Sequence, residues 1–231
     1  MSDGLPLLRM NEHFSKVPWD SRVFGMDVFE LRQVSDETIA AAQKIPGHYT
    51  VKVDPLFPKK VLNDAGFYYS DTLIETHCGI GSFRYYGHDL ISISQDIRVD
   101  DMVALLPGAF RYDRFHRDPE IGDGLADLRY ENWLRELHGK GQCFGLLFDG
   151  AVAGFLCYDK EKILLHALGR DFRGRGLSKY FWSPACRALF DTGFSEITSS
   201  VSAANMAVVN LYASLGFKFR NAVDIYHRLT L

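Results

Sequence analysis

The sequence predicts an α/β fold built in two parts, and three observations predict it. Strand-like and helix-like runs alternate along the chain, the pattern of a sheet covered by helices. An apolar run, KILLHALG at 162–169, leads into the glycine- and arginine-rich turn GRDFRGRG at 169–176 and then into a helical run. And a short segment is echoed: LNDAGFYYSDTLIE at 62–75 parallels YASLGFKFRNAVDI at 212–225, so that Gly66-Phe67 is matched by Gly216-Phe217.

The elements follow in order. Residues around 28–32, HYTVKVD at 48–54 and DTLIETHCGI at 71–80 read as strands. DETIAAAQKI at 36–45 and PKKVLNDAG at 58–66 read as helices, the second closed by a glycine. GSFRYYGHD at 81–89 is a glycine- and tyrosine-rich connection that places a boundary near residue 84. The parts are then 1–84, a smaller unit that is structural or contacts substrate, and 85–231. Residues 99–109 read as a helix. In 122–138, Leu125, Leu128, Trp133, Leu134 and Leu137 recur at roughly helical spacing, a core-facing stripe. QCFGLLFDG and AVAGFLCYD flank Asp149-Gly150, a hairpin signal. The strand at 162–168, a helix from Leu177, the strand EITSSVSA, a helix over NMAVVNLYASLG and a last strand near 219–229 complete the chain. The last of these presents an edge that would pair with a second copy of the chain.

Composition bounds the function. A net charge of −3 excludes the global basic field of a nucleic-acid binder. The arginines are local: Arg111, Arg114 and Arg117 in one cluster, Arg170, Arg173 and Arg175 in another. Local clusters suit a small phosphorylated ligand. No stretch approaches 18 apolar residues, and MSDGLPLLRMNEHF lacks a charged segment followed by a long apolar one, so the expectation is a cytoplasmic protein without a membrane partner. Cys78, Cys143, Cys157 and Cys186 form no CxxC pair, which predicts neither a zinc site nor a disulfide framework.

The turn at 169–176 has a physical reading. Glycine lets the backbone approach a ligand and adopt positive φ. The first turn of the following helix has N–H groups without helical partners, and these favour phosphate. Arg173 and Arg175 add positive charge. The alternative is a tight turn with solvated arginines. The segment RYDRFHRD at 111–118 is dense in Arg, His and aromatic residues. There Arg111 and Arg114 suit a diphosphate, and Tyr112, Phe115 or Tyr130 suit a stacked base; the alternative is a solvated loop.

The order hairpin, strand, Arg173-Gly174-Arg175-Gly176 turn, helix, strand, Asn205-x₆-Tyr212 helix, Gly216-Phe217 and strand resembles the GCN5-related N-acetyltransferase superfamily over roughly residues 95–231. Asp171 stands where the family's loop usually begins with Gln or Arg. The resemblance implies a mixed sheet flanked by helices, preceded here by a degenerate copy in which Leu62 stands in place of Tyr212. It also implies an acyl-coenzyme A co-substrate. Its diphosphate would lie on the N–H groups from Arg173 through Gly174, Arg175, Gly176 and Leu177 to Ser178. Its pantetheine arm would lie along 163–168, with the N–H of Ala167 or Leu168 receiving the developing oxyanion and Asn205 either capping its helix or touching the arm. Tyr212 sits where the family places the acid that protonates the leaving thiolate. For the base, His166 and His116 are candidates, with a water relay as the alternative.

WDSRVFG at 19–25, RFHRDP at 114–119 and Leu128-x-Tyr130-x-x-Trp133 further resemble TDP-fucosamine acetyltransferases. That resemblance implies an acetyl or short hydroxyacyl donor, no metal, and a nucleotide-linked amino sugar as acceptor. Arg111, Arg114, Phe115 and Tyr130 would bind the nucleotide, and Asp118 would orient His116 or hold a sugar hydroxyl. Transfer to another amine and a non-catalytic acyl-coenzyme A binding module are the alternatives.

Overall fold

The computed structural model describes residues 13–231; the expectation about a leader falls mostly on residues 1–12, outside them. In chain order the elements are β1 (Phe14–Lys16), α1 (Pro18–Phe24), β2 (Val28–Leu31), α2 (Asp36–Ala42), β3 (Gly47–Val53), α3 (Lys60–Asp64), β4 (Tyr68–Gly79), β5 (Ile91–Ser94), α4 (Val99–Val103) and α5 (Asp123–Gly139). They continue with β6 (Cys143–Phe148), β7 (Ala151–Asp159), β8 (Lys162–Leu168), α6 (Ser178–Asp191), β9 (Glu196–Ser202), α7 (Met206–Ser214) and β10 (Lys218–Thr230). The α/β class holds. The helix expected over 99–109 stops at Val103, four residues before Pro107, whose ring is incompatible with a helix interior.

Contacts divide the chain into two compact units, and the division is not a single cut. The first takes residues up to 73 together with 113–129 and 222–231; the second takes 74–112 and 130–221. The boundary expected near residue 84 falls inside the second unit. The reason is that β4, α5 and β10 each begin in one unit and end in the other.

In the first unit the strand order is β1-β2-β3-β10-β4. β2 and β3 run parallel, and β10 pairs antiparallel with β3 from Asp224 opposite Val53 to Thr230 opposite Gly47. β10 is therefore an interior strand, with β3 on one side and β4 on the other. The free edge expected at 218–229 is used within the chain. Phe14, Phe29, Tyr49, Val51, Leu62 and Phe67 form the core. α2 begins on a capping box in which Ser35 and Thr38 satisfy each other's backbone N–H groups.

The second unit orders its strands β4-β9-β8-β7-β6-β5. β6 and β7 form the predicted hairpin, with Asp149 and Gly150 both at positive φ (49° and 77°). β8 runs parallel to β9 and antiparallel to β7, so the sheet is mixed. On one face Ile163, Leu168, Phe181, Trp182, Leu211 and Tyr212 pack together; on the other, Leu165 and Ala167 pack with Leu134 and Leu137 of α5. Cys143 and Cys157 face each other across the hairpin and are joined by a disulfide, contrary to the expectation of unpaired cysteines. A separation of 14 residues carries no signal until the hairpin register is known. No helix among the described residues is long and apolar enough to cross a membrane.

Candidate active site

The strand β8 positions the site. It pairs with β9 at Lys162 opposite Thr198, and among the described residues no further ladder pair joins the two strands. Past that point no ladder pair from β9 covers β8 over Leu164–Leu168, where the Leu168 carbonyl is taken by Arg173; this stretch lies within 163–168, the segment expected to receive an extended ligand. Strand addition is the way an exposed edge binds such a chain.

The turn after β8 is open as well. Gly174 and Gly176 both hold φ +71°, and a methyl group built on either would meet nothing within 4 Å. L-residues rarely adopt this backbone, so the glycines are dictated by conformation; the empty space above them leaves the backbone accessible. Among the described residues, the N–H groups of Gly174, Arg175, Gly176, Leu177 and Ser178 have no backbone partner and no side chain caps α6. This cradle fits a diphosphate at a helix N-terminus. The arginines behave differently from the expectation. Arg173 donates from Nε to the Leu168 carbonyl at 2.7 Å and from a terminal nitrogen to the Gly108 carbonyl at 2.9 Å. It buttresses the turn. Burial, with Arg111 and Arg170 close by, pushes its pKa down, so Arg111, expected in a separate acceptor site, adds its charge to the same neighbourhood. Asn205 caps α7, its Oδ1 accepting from the Val208 N–H at 3.3 Å.

Tyr212, on α7, is completely buried. Its hydroxyl lies 3.0 Å from Nε2 of His166 on β8 and donates to Oγ of Ser199 on β9 at 3.0 Å. Ser199 in turn donates to the Ile163 carbonyl at 3.1 Å. The Trp182 and His166 rings meet edge to face, 5.0 Å between centroids and 84° between planes. Burial shifts the two ionisable members in opposite directions: it raises the Tyr212 phenol well above its usual range and lowers His166 to about 4. Both groups are neutral at pH 7. His166 faces α6 and α7, while Leu165 and Ala167 face α5, as alternation along a strand requires. The sequence does not single out Ser199 and Trp182, whose only signal is that a buried hydroxyl needs partners.

The acceptor residues read from the sequence are corrected in four cases. His116 is held between Asp113 at Nδ1 and Asp127 at Nε2 (3.0 Å). Burial would lower its pKa, but the two carboxylates raise it to about 9. It is a cation at neutral pH with both nitrogens engaged, and no base. Asp118 neither orients it nor reaches solvent. It is buried, accepting from Tyr68 Oη at 2.6 Å, His48 Nε2 at 2.8 Å, His227 Nδ1 at 2.6 Å and the Glu120 N–H at 2.9 Å. Phe115 is buried among Phe24, Val28, Ile121 and Ala126, with the guanidinium groups of Arg114 and Arg129 at 4.7 and 4.3 Å from its ring centre. Tyr130 is stacked on Phe110, centroids 4.2 Å apart. Both rings are buried. Arg111 and Tyr112 are exposed.

His48, Asp118 and His227 bring three metal-type ligand atoms within 4.8 Å of one another. A metal fits the group poorly. Metal-bound imidazoles donate their other N–H to a second partner, whereas His48 Nδ1 and His227 Nε2 are buried and have none among the described residues. The short N–H···O contacts to Asp118 instead describe a hydrogen-bonded hub. His48 and His227 were not legible as its members, because they lie on β3 and β10, far apart in sequence.

Residues 100–217 match the model of the "Acetyltransferase (GNAT) family". A GCN5-related N-acetyltransferase from Sphaerobacter thermophilus shares the fold with a TM-score of 0.57 at 11% identity, over 80% of this chain and 61% of that one, so the chain spans about three-fifths of that relative. A tandem GNAT protein from the clavulanic acid biosynthesis pathway gives 0.54 at 11% identity, over 87% and 75%. A conserved protein of unknown function from Staphylococcus epidermidis gives 0.60 at 9% identity, over 95% and 92%. No curated protein matches the sequence.

Proposed function

We propose, because the chain belongs to the acetyltransferase (GNAT) family and its family uses acyl-coenzyme A, that it moves an acetyl or short hydroxyacyl group to the amino group of a dTDP-linked amino-deoxy sugar. The observation that carries the transfer is the pairing of an open β8 edge with an open turn. The first offers main-chain groups to the pantetheine arm, the second offers five N–H groups to the diphosphate.

The chemistry asks for a neutral amine, a polarised thioester and a proton for the leaving thiolate. An N–H at Ala167 or Leu168 would meet charge developing on the carbonyl oxygen. Tyr212 supplies the proton. Burial keeps its phenol fully protonated at neutral pH, which is the state an acid needs, and such help is worth roughly 10²–10⁴ in rate. The sugar assignment rests on WDSRVFG, RFHRDP and the Leu128-Tyr130-Trp133 pattern, and on Arg111, Arg170 and Arg173, which form no ion pair with a carboxylate among the described residues. A second reading, the same transfer to another amine, is favoured by one observation: Phe115, Asp118 and Tyr130 are built into the interior.

Steady-state release of free thiol tests this. The protein is mixed with acetyl- or longer acyl-coenzyme A and a panel of dTDP-amino sugars and other amines. Turnover at micromolar dTDP-sugar supports the proposal. Turnover only with other amines removes the sugar and keeps the transfer. Acyl-coenzyme A binding with no turnover at all leaves a binding module.

A further inference from the structure

The hydrogen bonds around Tyr212 have a direction. Ser199 spends its own proton on the Ile163 carbonyl, so its oxygen accepts from Tyr212. The phenol oxygen is then an acceptor toward His166, 3.0 Å away. His166 must carry its proton on Nε2 and leave a lone pair on Nδ1. The resting order is His166 Nε2–H to Tyr212, Tyr212 O–H to Ser199, Ser199 O–H to the backbone.

Resting on the acyltransfer reading above, we propose that His166 and Tyr212 act as one proton relay linking the attacking amine to the leaving thiolate. As the C–N bond forms, the amine, neutral on arrival, gives a proton to Nδ1 of His166. Nε2 gives its proton to the Tyr212 oxygen. Tyr212 turns its own proton from Ser199 to the sulfur as the C–S bond breaks. One proton enters the relay and one leaves it, and neither residue is ever charged. His166 ends with its proton on Nδ1 and resets through solvent, which its half-buried position allows.

The environment favours this over two separate proton transfers. His166 makes no ion pair among the described residues and lies against the Trp182 ring. As a lone base with a pKa of about 4 it would hold an amine proton poorly. Tyr212, enclosed among Trp182, Cys186, Ser199 and Phe217, would equally resist remaining as phenolate. A pair in which each member gains a proton as it loses one avoids both charged states. The relay also sits on the strand whose edge is open for the thioester.

Two measurements test it. The first needs no acceptor: the ¹⁵N shifts of His166 in the intact chain. The relay requires the Nε2–H form at neutral pH, and a weakened preference for it in Tyr212→Phe, which keeps the ring volume. A resting Nδ1–H form overturns the relay whatever the substrate is. The second is kinetic, using acetyl-coenzyme A and whichever amine the panel identifies. His166→Gln and Tyr212→Phe should each lower kcat by roughly 10²-fold or more with unchanged KM for acetyl-coenzyme A. The double variant should fall no further than the worse single one. Wild-type kcat in His166→Gln, or a double variant showing the product of the two losses, overturns it. Absence of turnover in the wild type with every amine would instead sink the acyltransfer reading, while the ¹⁵N result still decides the tautomer.

Discussion

Two helix ends in this chain carry the same backbone turn and opposite side chains. α3 closes on Gly66, with the Phe67 N–H bonded to the Leu62 carbonyl at 2.9 Å; α7 closes on Gly216, with the Phe217 N–H bonded to the Tyr212 carbonyl at 3.0 Å. Both are the 6→1 closure of a Schellman turn. The residue whose carbonyl takes the bond is buried in each case. Leu62 needs only apolar neighbours. Tyr212 needs partners for its hydroxyl, and His166, Ser199 and the Ile163 carbonyl supply a neutral line beside an open strand edge. The first unit gathers its polar groups elsewhere, around Asp118, whose carboxylate takes four hydrogen bonds away from solvent. The contrast separates scaffold from chemistry. A saturated buried charge fixes structure; a neutral line of exchangeable protons beside unpaired main chain can be used.

Asp118→Ala leaves Tyr68, His48 and His227 as buried donors without their acceptor, at about 1–3 kcal/mol for each group left unsatisfied. Urea denaturation should register most of it. A loss below about 1 kcal/mol would mean that the hub does not anchor the first unit. Tyr212→Phe should give the reverse balance. Its stability should fall by about 1 kcal/mol, the scale of one net hydrogen bond, while thiol release falls by roughly 10²–10⁴. Equal losses of stability and activity would dissolve the distinction between the two regions.

What the sequence made legible was local. The Asp149-Gly150 hairpin, the glycine turn and the Asn205 cap depend on residues within a few positions of one another, and each is where the spacing puts it. What it hid was pairing across distance. Ser199 and Trp182 join Tyr212 from β9 and α6, and His48 and His227 meet Asp118 from two strands. RFHRDP misled for a related reason. A run of charges and rings reads as a solvated or ligand-binding surface, but His116 is bonded to two aspartates and Phe115 is buried in contact with two guanidinium groups. Charge density does not reveal whether its partners are internal. β5, four residues of Ile and Ser at the sheet edge, is too short for alternation to stand out.

Both regions hold histidines that burial keeps neutral. His227 and His166 are each lowered to about 4 from an unfolded value of about 6.5. Their contribution is complete above pH 6.5 and is lost as pH falls toward 4, since only the unfolded chain binds the proton in that window. Asp118, held below the usual carboxylate range against its own burial by His227, His48 and Tyr68, adds a loss of the same sign below about pH 4. His116 acts oppositely. Raised to about 9, it contributes fully below 6.5 and is lost as pH climbs through 9. Denaturation midpoints should therefore peak near pH 6–7. His116→Gln should flatten the alkaline limb alone, and an unchanged alkaline limb in that variant would show that the Asp113 and Asp127 contacts do not hold in solution.

The smallest effect probes the open turn. Gly176→Ala places a methyl group where nothing lies within 4 Å, so no clash arises, but φ +71° is strained for any L-residue with a Cβ. The cost should be about 1–2 kcal/mol, borne by a turn that Arg173 ties to the Leu168 and Gly108 carbonyls. The same methyl group stands beside N–H groups that have no backbone partner among the described residues, and it would hold a diphosphate off them. Acyl-coenzyme A affinity should fall several-fold, while a donor analogue ending at pantetheine, which never reaches the turn, should bind the variant as it binds the wild type. If both ligands weaken together, strain has spread along β8 and the turn is a hinge of the site. If neither weakens, the diphosphate lies elsewhere, and the N–H groups between Gly174 and Ser178 serve only water.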